Sequence, residues 1–430
     1  MKRKVEAQLI AWKNKSSERQ PLLVNGARQV GKTYILRKFG EEQFKNVAYV
    51  NLETNLTIAS YFNDNIAPER LLRYLEASTG ERIIAGETLI FFDEIQSCER
   101  ALTSLKYFCE ETPEFHIAAA GSLLGVAINR QHYSFPVGKV ETITMYPLDF
   151  EEYLWARGKE FLASEIRSAF ETMTALPDAL HTEATELYRE YLLIGGMPAS
   201  INAFLRSGSF LDVSLVQNEI LDNYIADMAK YATNTDSVKI RACYNSIPAQ
   251  LAKDNRKFQY KVVQKGGSAS LFGASIEWLY LAGVVLKCQR ISQAFEPISV
   301  YADLSAFKLY MGDVGLLTAK SGLSQQTVLS GEGNTFMGAV TENYVAQQLA
   351  ANGHDLYYWE SNNTAELDFV LQRGNQVMAI EVKKGGHVRS RSLNLFIGTY
   401  HPSCAIRLSL KNFGEKDGLK SVPLYAAFCI

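Results

Sequence analysis

The chain has no excess of either charge: 44 Lys and Arg stand against 46 Asp and Glu, a formal net charge of −2. A strongly basic, constitutive nucleic-acid coat is therefore excluded, while a local basic groove is not. Cysteine is sparse and scattered. The six (Cys98, Cys109, Cys243, Cys288, Cys404, Cys429) include no C-x-x-C pair, which suits neither a zinc site nor a disulfide framework and fits a reduced, cytoplasmic chain. Long hydrophobic runs are also missing. The longest weakly polar run, residues 117–128, is too short to span a bilayer and contains Gly121, Ser122 and Gly125. Met1-Lys2-Arg3-Lys4 leads into Val5-Glu6-Ala7-Gln8 rather than an apolar stretch, so neither a secretory signal nor a membrane partner is expected. No repeat or low-complexity tract stands out. The 47% hydrophobic and 21% charged content is that of a globular chain and excludes a mainly disordered one. A length of 430 residues predicts about two to four domains.

Short β-rich runs alternate with helical stretches up to about residue 150. Residues 22–25, 47–52, 88–92, 115–120 and 140–145 are near-continuous apolar or β-branched runs. They suit parallel strands covered on both faces, and hence a wound α/β domain over 1–150. Residues 151–235 read as helical, broken at Gly195-Gly196-Met197-Pro198. Residues 236–330 read as helices followed by a small β wing, with a strand at 284–289. A loop signal at 331–334 opens the last region, 331–430. There a helix at 338–351 precedes strands at 356–359, 367–371 and 376–382, a helix at 393–400 and a strand at 404–410.

The segment G-A-R-Q-V-G-K-T (Gly26, Ala27, Arg28, Gln29, Val30, Gly31, Lys32, Thr33) fits the phosphate-binding pattern G-x-x-x-x-G-K-T. It follows a strand and opens a helix with Tyr34 in its first turn, which is the context the motif requires. Its glycines let backbone N–H groups face a phosphate at a helix N-terminus. Lys32 is expected on the β- and γ-phosphates of ATP and Thr33 on Mg²⁺. The apolar run 88–92 ends in Asp93-Glu94, the pattern of a Walker B strand. Asp93 is assigned to magnesium and Glu94 to the general base. Ser122, at the tip of the run 115–121, is expected to sense the γ-phosphate or to cap a helix. Arg28 and Arg130 are finger or sensor candidates.

Several passages carry a family resemblance: G-A-R-Q-V-G-K-T, F-F-D-E-I-Q (91–96), A-G-S-L-L (120–124), Y-P-L-D-F-E-E-Y-L (146–154), Y-L-L-I-G-G-M-P (191–198) and F-K-L-Y-M-G-D-V-G-L-L (307–317). The chain resembles bacterial and archaeal AAA-type ATPases with a C-terminal domain of long-unassigned function. The resemblance implies an AAA-like P-loop core, a helical and winged-helix-like middle, and a restriction-endonuclease-like α/β end. One departure stands out. Relatives commonly carry Gly-Arg before the Tyr146-Pro147 strand, and here the pair is Gly138-Lys139. If that arginine is a finger or sensor, lysine offers a point charge in place of a planar fork.

Glu342 on the predicted helix 338–351, Asp368 on a strand, and Glu381-Val382-Lys383 on the next strand follow the order of PD-(D/E)xK nucleases. Alternation places Glu381 and Lys383 on one strand face. Asp368 and Glu381 would hold a second metal site, and Lys383 would activate the attacking water. A charged sheet edge and a fold kept only for binding remain open readings. The nearby Lys383, Lys384, His387, Arg389 and Arg391 could contact phosphates or form a solvated helix start. In the middle region Lys253, Arg256, Lys257 and Lys261 flank a first helix. The recognition-type helix at 268–281 carries Glu277 and Trp278 and is poor in basic residues, which favours protein packing over DNA reading. Trp278, Tyr280 and Tyr310 are expected in the core.

These readings point to an ATP-binding, ATP-hydrolysing AAA-type protein whose nucleotide state controls a C-terminal effector. The alternatives are an ATP-gated, Mg²⁺-dependent DNA nuclease and a nucleotide switch or scaffold with negligible turnover. DNA, a protein partner and self-association into an oligomer all remain open as partners.

Overall fold

A computed structural model describes residues 1–15, 19–121, 136–232, 234–331, 334–361, 365–383 and 391–430. Five strands form the N-terminal sheet: β1 (Leu22–Asn25), β2 (Asn46–Asn51), β3 (Thr88–Asp93), β4 (His116–Ala120) and β5 (Glu141–Thr144). All pairings are parallel, in the order β2-β3-β4-β1-β5. β4 therefore lies between the strand that precedes the phosphate loop and the strand that ends in Asp93.

Every residue of β1, β3 and β4 is buried, which is why their interiors are apolar and polar residues stand only at their ends. Alternate side chains serve two cores. Leu22, Val24, Leu89, Phe91, Ala118 and Ala120 pack on one face with Leu9, Trp12, Ile35 and Leu36. Leu23, Ile90, Phe92, Ile117 and Ala119 pack on the other with Leu71, Leu75, Leu105 and Phe108.

The middle is helical: Phe150–Ala156, Glu160–Thr172, Asp178–Ile194, Pro198–Ser207, Phe210–Tyr231, Asn234–Leu251 and Ala269–Leu281. The break expected at Gly195-Gly196 is present: the helix Asp178–Ile194 ends there and Pro198 opens the next.

Eight strands form a second sheet: β6 (Val285–Ile291), β7 (Ala302–Met311), β8 (Tyr357–Ser361), β9 (Ala365–Arg373), β10 (Gln376–Val382), β11 (Cys404–Ser409), β12 (Gly414–Lys416) and β13 (Leu419–Pro423). Their order is β12-β13-β11-β10-β9-β8-β6-β7. The β wing expected within 236–330 is thus not a separate unit. β6 pairs in parallel with β8, so one sheet crosses the loop at residue 331. β7, β12 and β13 escaped sequence reading. β7 mixes exposed Leu304 with fully buried Lys308, and β12 has only three residues, so neither shows a clean period.

The helix Met337–Ala351 is buried on nearly every side. Its polar side chains bind other elements instead of water. Asn343 bonds both backbone groups of Met311, at 2.7 and 3.0 Å. Gln347 accepts from Val314 N–H at 2.8 Å and Gln348 from Phe150 N–H at 2.8 Å. This helix ties the second sheet to the helical middle.

Candidate nucleotide site and the C-terminal carboxylates

The phosphate loop leaves β1 and closes on the helix Lys32–Gln43. Gly31 caps that helix in the left-handed region at φ 96°, where a side chain is strained. A Cβ on Gly26 would collide with the Met145 carbonyl oxygen, so glycine there allows β5's end to lie against the loop. Gln29 also has a positive φ, 67°, as does Glu94 at 50°. Strained backbone at non-glycine residues on both sides of one site is what a functional constraint produces.

The side chains converge as the motif requires. Lys32 Nζ donates to the carbonyls of Gly26 (2.9 Å) and Ala27 (2.8 Å), so the lysine folds over the loop. Burial pushes its ammonium down to about 8, a cost that an approaching polyphosphate would offset. Thr33 Oγ1 donates to Asp93 Oδ1 at 3.2 Å, and the Tyr49 hydroxyl donates to Asp93 Oδ2 at 3.0 Å. Burial raises the Asp93 carboxyl above its ordinary value. A hydroxyl and a buried carboxylate side by side are hard oxygen donors, and they fit Mg²⁺. Glu94 follows Asp93 and accepts a hydrogen bond from the Gln96 amide, which orients its carboxylate. Gly121, at the end of β4, leaves room for Gln96: a Cβ there would lie 2.5 Å from Gln96 Oε1.

Beside the loop is a cavity of about 380 Å³. Ile35, Met145, Leu148 and Pro198 form apolar walls and Arg3 and Asn202 add polar groups. It lies next to Gly31 and Tyr34, and Tyr34 is 60% exposed. Sequence reading missed this cavity, because its walls come from four separated segments and only the fold brings them together.

Other candidates fare differently. Arg28 pairs with Asp227 (Nε to Oδ2, 2.8 Å) on the helix Phe210–Tyr231. Lys139 pairs with Glu110 at 3.0 Å on the surface. Ser122 and Arg130 lie outside the described residues, as do Lys384, His387 and Arg389.

Three family models match the chain in succession. One, described as an AAA domain, covers residues 18–154. That stretch takes in the phosphate loop and the five-stranded parallel sheet, and it is similar to an AAA domain. Two models described as domains of unknown function cover residues 185–327 (DUF8612) and 337–427 (DUF4143). A stretch of 79 residues is 35% identical to an uncharacterized protein of Mycobacterium tuberculosis and, equally, to one of Mycobacterium bovis. The match takes in 18% of this chain and spans only 18% of the length of those curated relatives. Among solved structures, a Walker-type ATPase of Pyrococcus abyssi is 16% identical with a TM-score of 0.44, over 74% of this chain and 95% of that one. A likeness that distant carries no inference about chemistry.

The C-terminal carboxylates are engaged separately. Glu342, 1% exposed, accepts from Lys308 Nζ at 2.9 Å, from Arg256 and from the Tyr310 hydroxyl. Lys308, fully buried, also reaches Glu366 at 2.6 Å. Asp368 Oδ2 accepts the backbone N–H of Val382 at 2.7 Å. Glu381 pairs with Lys383 at 3.1 Å and stands 3.9 Å from Arg407. Among the described residues, no group of three or more His, Cys, Asp or Glu side chains is placed to hold a metal ion. The β9–β10 pairing brings Asp368 to the Glu381-Val382 end of β10, while Glu342 is taken up by two cations. Two residues of the basic flank of the middle region are spent the same way, since Arg256 pairs with Glu342 and Lys257 with Glu360. Of the expected core aromatics, Trp278 and Tyr310 are buried, whereas Tyr280 is 44% exposed.

The passages at 191–198 and 307–317 form a joint. Asp313 of G-D-V-G accepts the N–H of Gly196 at 2.6 Å, of Leu316 at 3.0 Å and of the Gln347 amide at 3.3 Å. Leu148 N–H donates to Gly196 O at 2.7 Å. A Cβ on Gly315 would lie 2.5 Å from Gly195 N, one on Gly312 2.7 Å from Gly283 O, and one on Gly283 3.0 Å from Ala27 N. Bare backbones therefore touch in series from the phosphate loop to the G-G-M-P turn.

Proposed function

We propose that this protein binds and hydrolyses ATP and that its nucleotide state controls the region beyond residue 185. The observation that carries the reading is the contact between Thr33 and Asp93 beneath a loop closed by Gly31 and Lys32. The triphosphate would lie along the loop N–H groups with Lys32 on its outer phosphates, and the base would enter the cavity between Ile35, Met145 and Pro198. Mg²⁺ held by Thr33 and Asp93 would neutralise phosphate charge. Glu94 would take the proton of the attacking water while the bond from γ-phosphorus to the bridging oxygen breaks, giving ADP and phosphate. Glu94→Gln keeps the size and removes the base. It is expected to retain ATP affinity and to lower phosphate release at least roughly tenfold. Unchanged turnover would move the base elsewhere.

Support for coupling comes from the joint. The Gly283 turn rests on Ala27 of the phosphate loop, and the Gly312-Asp313 turn rests on Gly283 and Gly196. A shift of the loop on nucleotide binding would be felt there directly, because packed backbones do not yield smoothly. A metal-dependent nuclease is the weaker reading, since Arg256 and Lys308 already neutralise Glu342. Plasmid nicking with Mg²⁺ or Mn²⁺ that is lost in Asp368→Ala and Lys383→Ala would reverse that order.

A further inference from the structure

The helix Phe210–Tyr231 lies across the phosphate loop and contacts it twice. The Tyr224 hydroxyl donates to the Arg28 carbonyl at 3.2 Å, and Asp227 Oδ2 meets Arg28 Nε at 2.8 Å. One turn on, Lys230 pairs with Glu53, just past the end of β2. The pair Arg28–Asp227 is only partly wet, with side chains 29% and 17% exposed. Asp227 lies near enough to Lys32 and Glu94 for their charges to act on one another. A carboxylate on a distant helix therefore occupies the one arginine within the loop motif, within charge range of the expected phosphate ligand Lys32.

We propose that the Arg28–Asp227 pair is a latch that nucleotide phosphates must open: Asp227 holds Arg28 off the phosphates, and their binding frees the helix Phe210–Tyr231 from this pair. Two anions compete for one guanidinium, and the triphosphate, with the larger charge, competes better than the diphosphate. Asp227 thus lowers the affinity, and lowers it more for ATP, whose larger charge gains more from Arg28, than for ADP. It is a positioning residue that acts through Arg28.

The proposal rests on the P-loop reading, and its test separates the two. MgATP and MgADP binding are titrated calorimetrically with the full chain as wild type, Asp227→Asn, Arg28→Ala and the double variant. The latch predicts that Asp227→Asn binds MgATP about tenfold more tightly, with a smaller gain for MgADP. It also predicts that the gain vanishes in the double variant, which should match Arg28→Ala. A merely structural role would lower stability without tightening binding. Asp227→Ser gives the same readout should Asn fail to fold. Wild type that binds MgATP beside an Asp227→Asn variant no tighter overturns the latch and leaves the P-loop reading standing. Absence of binding in every variant overturns both, whereas binding by Asp227→Asn alone supports both.

Discussion

Asp313→Ala strikes the joint between the phosphate-loop region and the rest of the chain. The carboxylate is fully buried and serves three donors: the N–H of Leu316, for which it is the helix cap, the N–H of Gly196, and the Gln347 amide. Loss of the cap costs about 1 kcal/mol. Stranding the other two buried donors costs about 1–3 kcal/mol each. Allowing for shared relaxation, the expected loss is about 3–5 kcal/mol, a large part of the roughly 5–15 kcal/mol that holds a domain folded. Burial pushes this carboxyl up to about 6, from 3.8. The folded state then holds more protons than the unfolded one between these values. The stability this proton contributes is full below pH 3.8 and is lost as pH rises through 6. The gap between wild type and variant should therefore be about 1.3 kcal/mol wider at pH 5 than at pH 7. Urea unfolding of the full chain at both pH values measures it, with Asp313→Asn expected to fall between the two. A loss below about 1 kcal/mol, or a gap that narrows at pH 5, would refute the joint as described.

Lys308→Met removes a buried ammonium shared by Glu342 and Glu366 and should cost about 3–5 kcal/mol; a neutral effect by urea denaturation would show that the network is not a structural tie. His116 is buried against Trp12 and Phe44, its ring centroids 5.8 and 4.9 Å from theirs, and burial pushes its imidazole down to about 4 from 6.5. Its contribution is present above pH 6.5 and lost as pH falls towards 4, by up to about 3 kcal/mol. His116→Phe should flatten that acid limb of the stability curve, and a limb of unchanged depth would rule His116 out as its source.

What could be read from sequence follows from where the physics is local. β1 and β10 and the helix starts at Lys32 and Met337 were legible to within a residue, because apolar runs, Gly-Lys-Thr chemistry and helical spacing act over a few positions. Asp93 and Glu94 were legible as a strand end. Asp227 was not, since nothing within Phe210–Tyr231 marks the residue that will meet Arg28 nearly two hundred positions away in the chain. β7 was missed because Lys308 interrupts its apolar pattern, and only the carboxylates of Glu342 and Glu366 make that lysine a core residue. Nothing local marks the role of the G-G-M-P and G-D-V-G passages, for a related reason. Their glycines exist so that distant backbones can touch.

Nucleotide binding itself is tested by MgATP titration of Lys32→Ala against wild type, followed by calorimetry with circular dichroism as the check on folding. Lys32 folds over the loop, bonded to the Gly26 and Ala27 carbonyls. Wild type is expected to bind, and the folded variant to show no measurable binding. A folded variant within a factor of about three of wild type, equivalent to less than about 0.7 kcal/mol, would contradict that expectation.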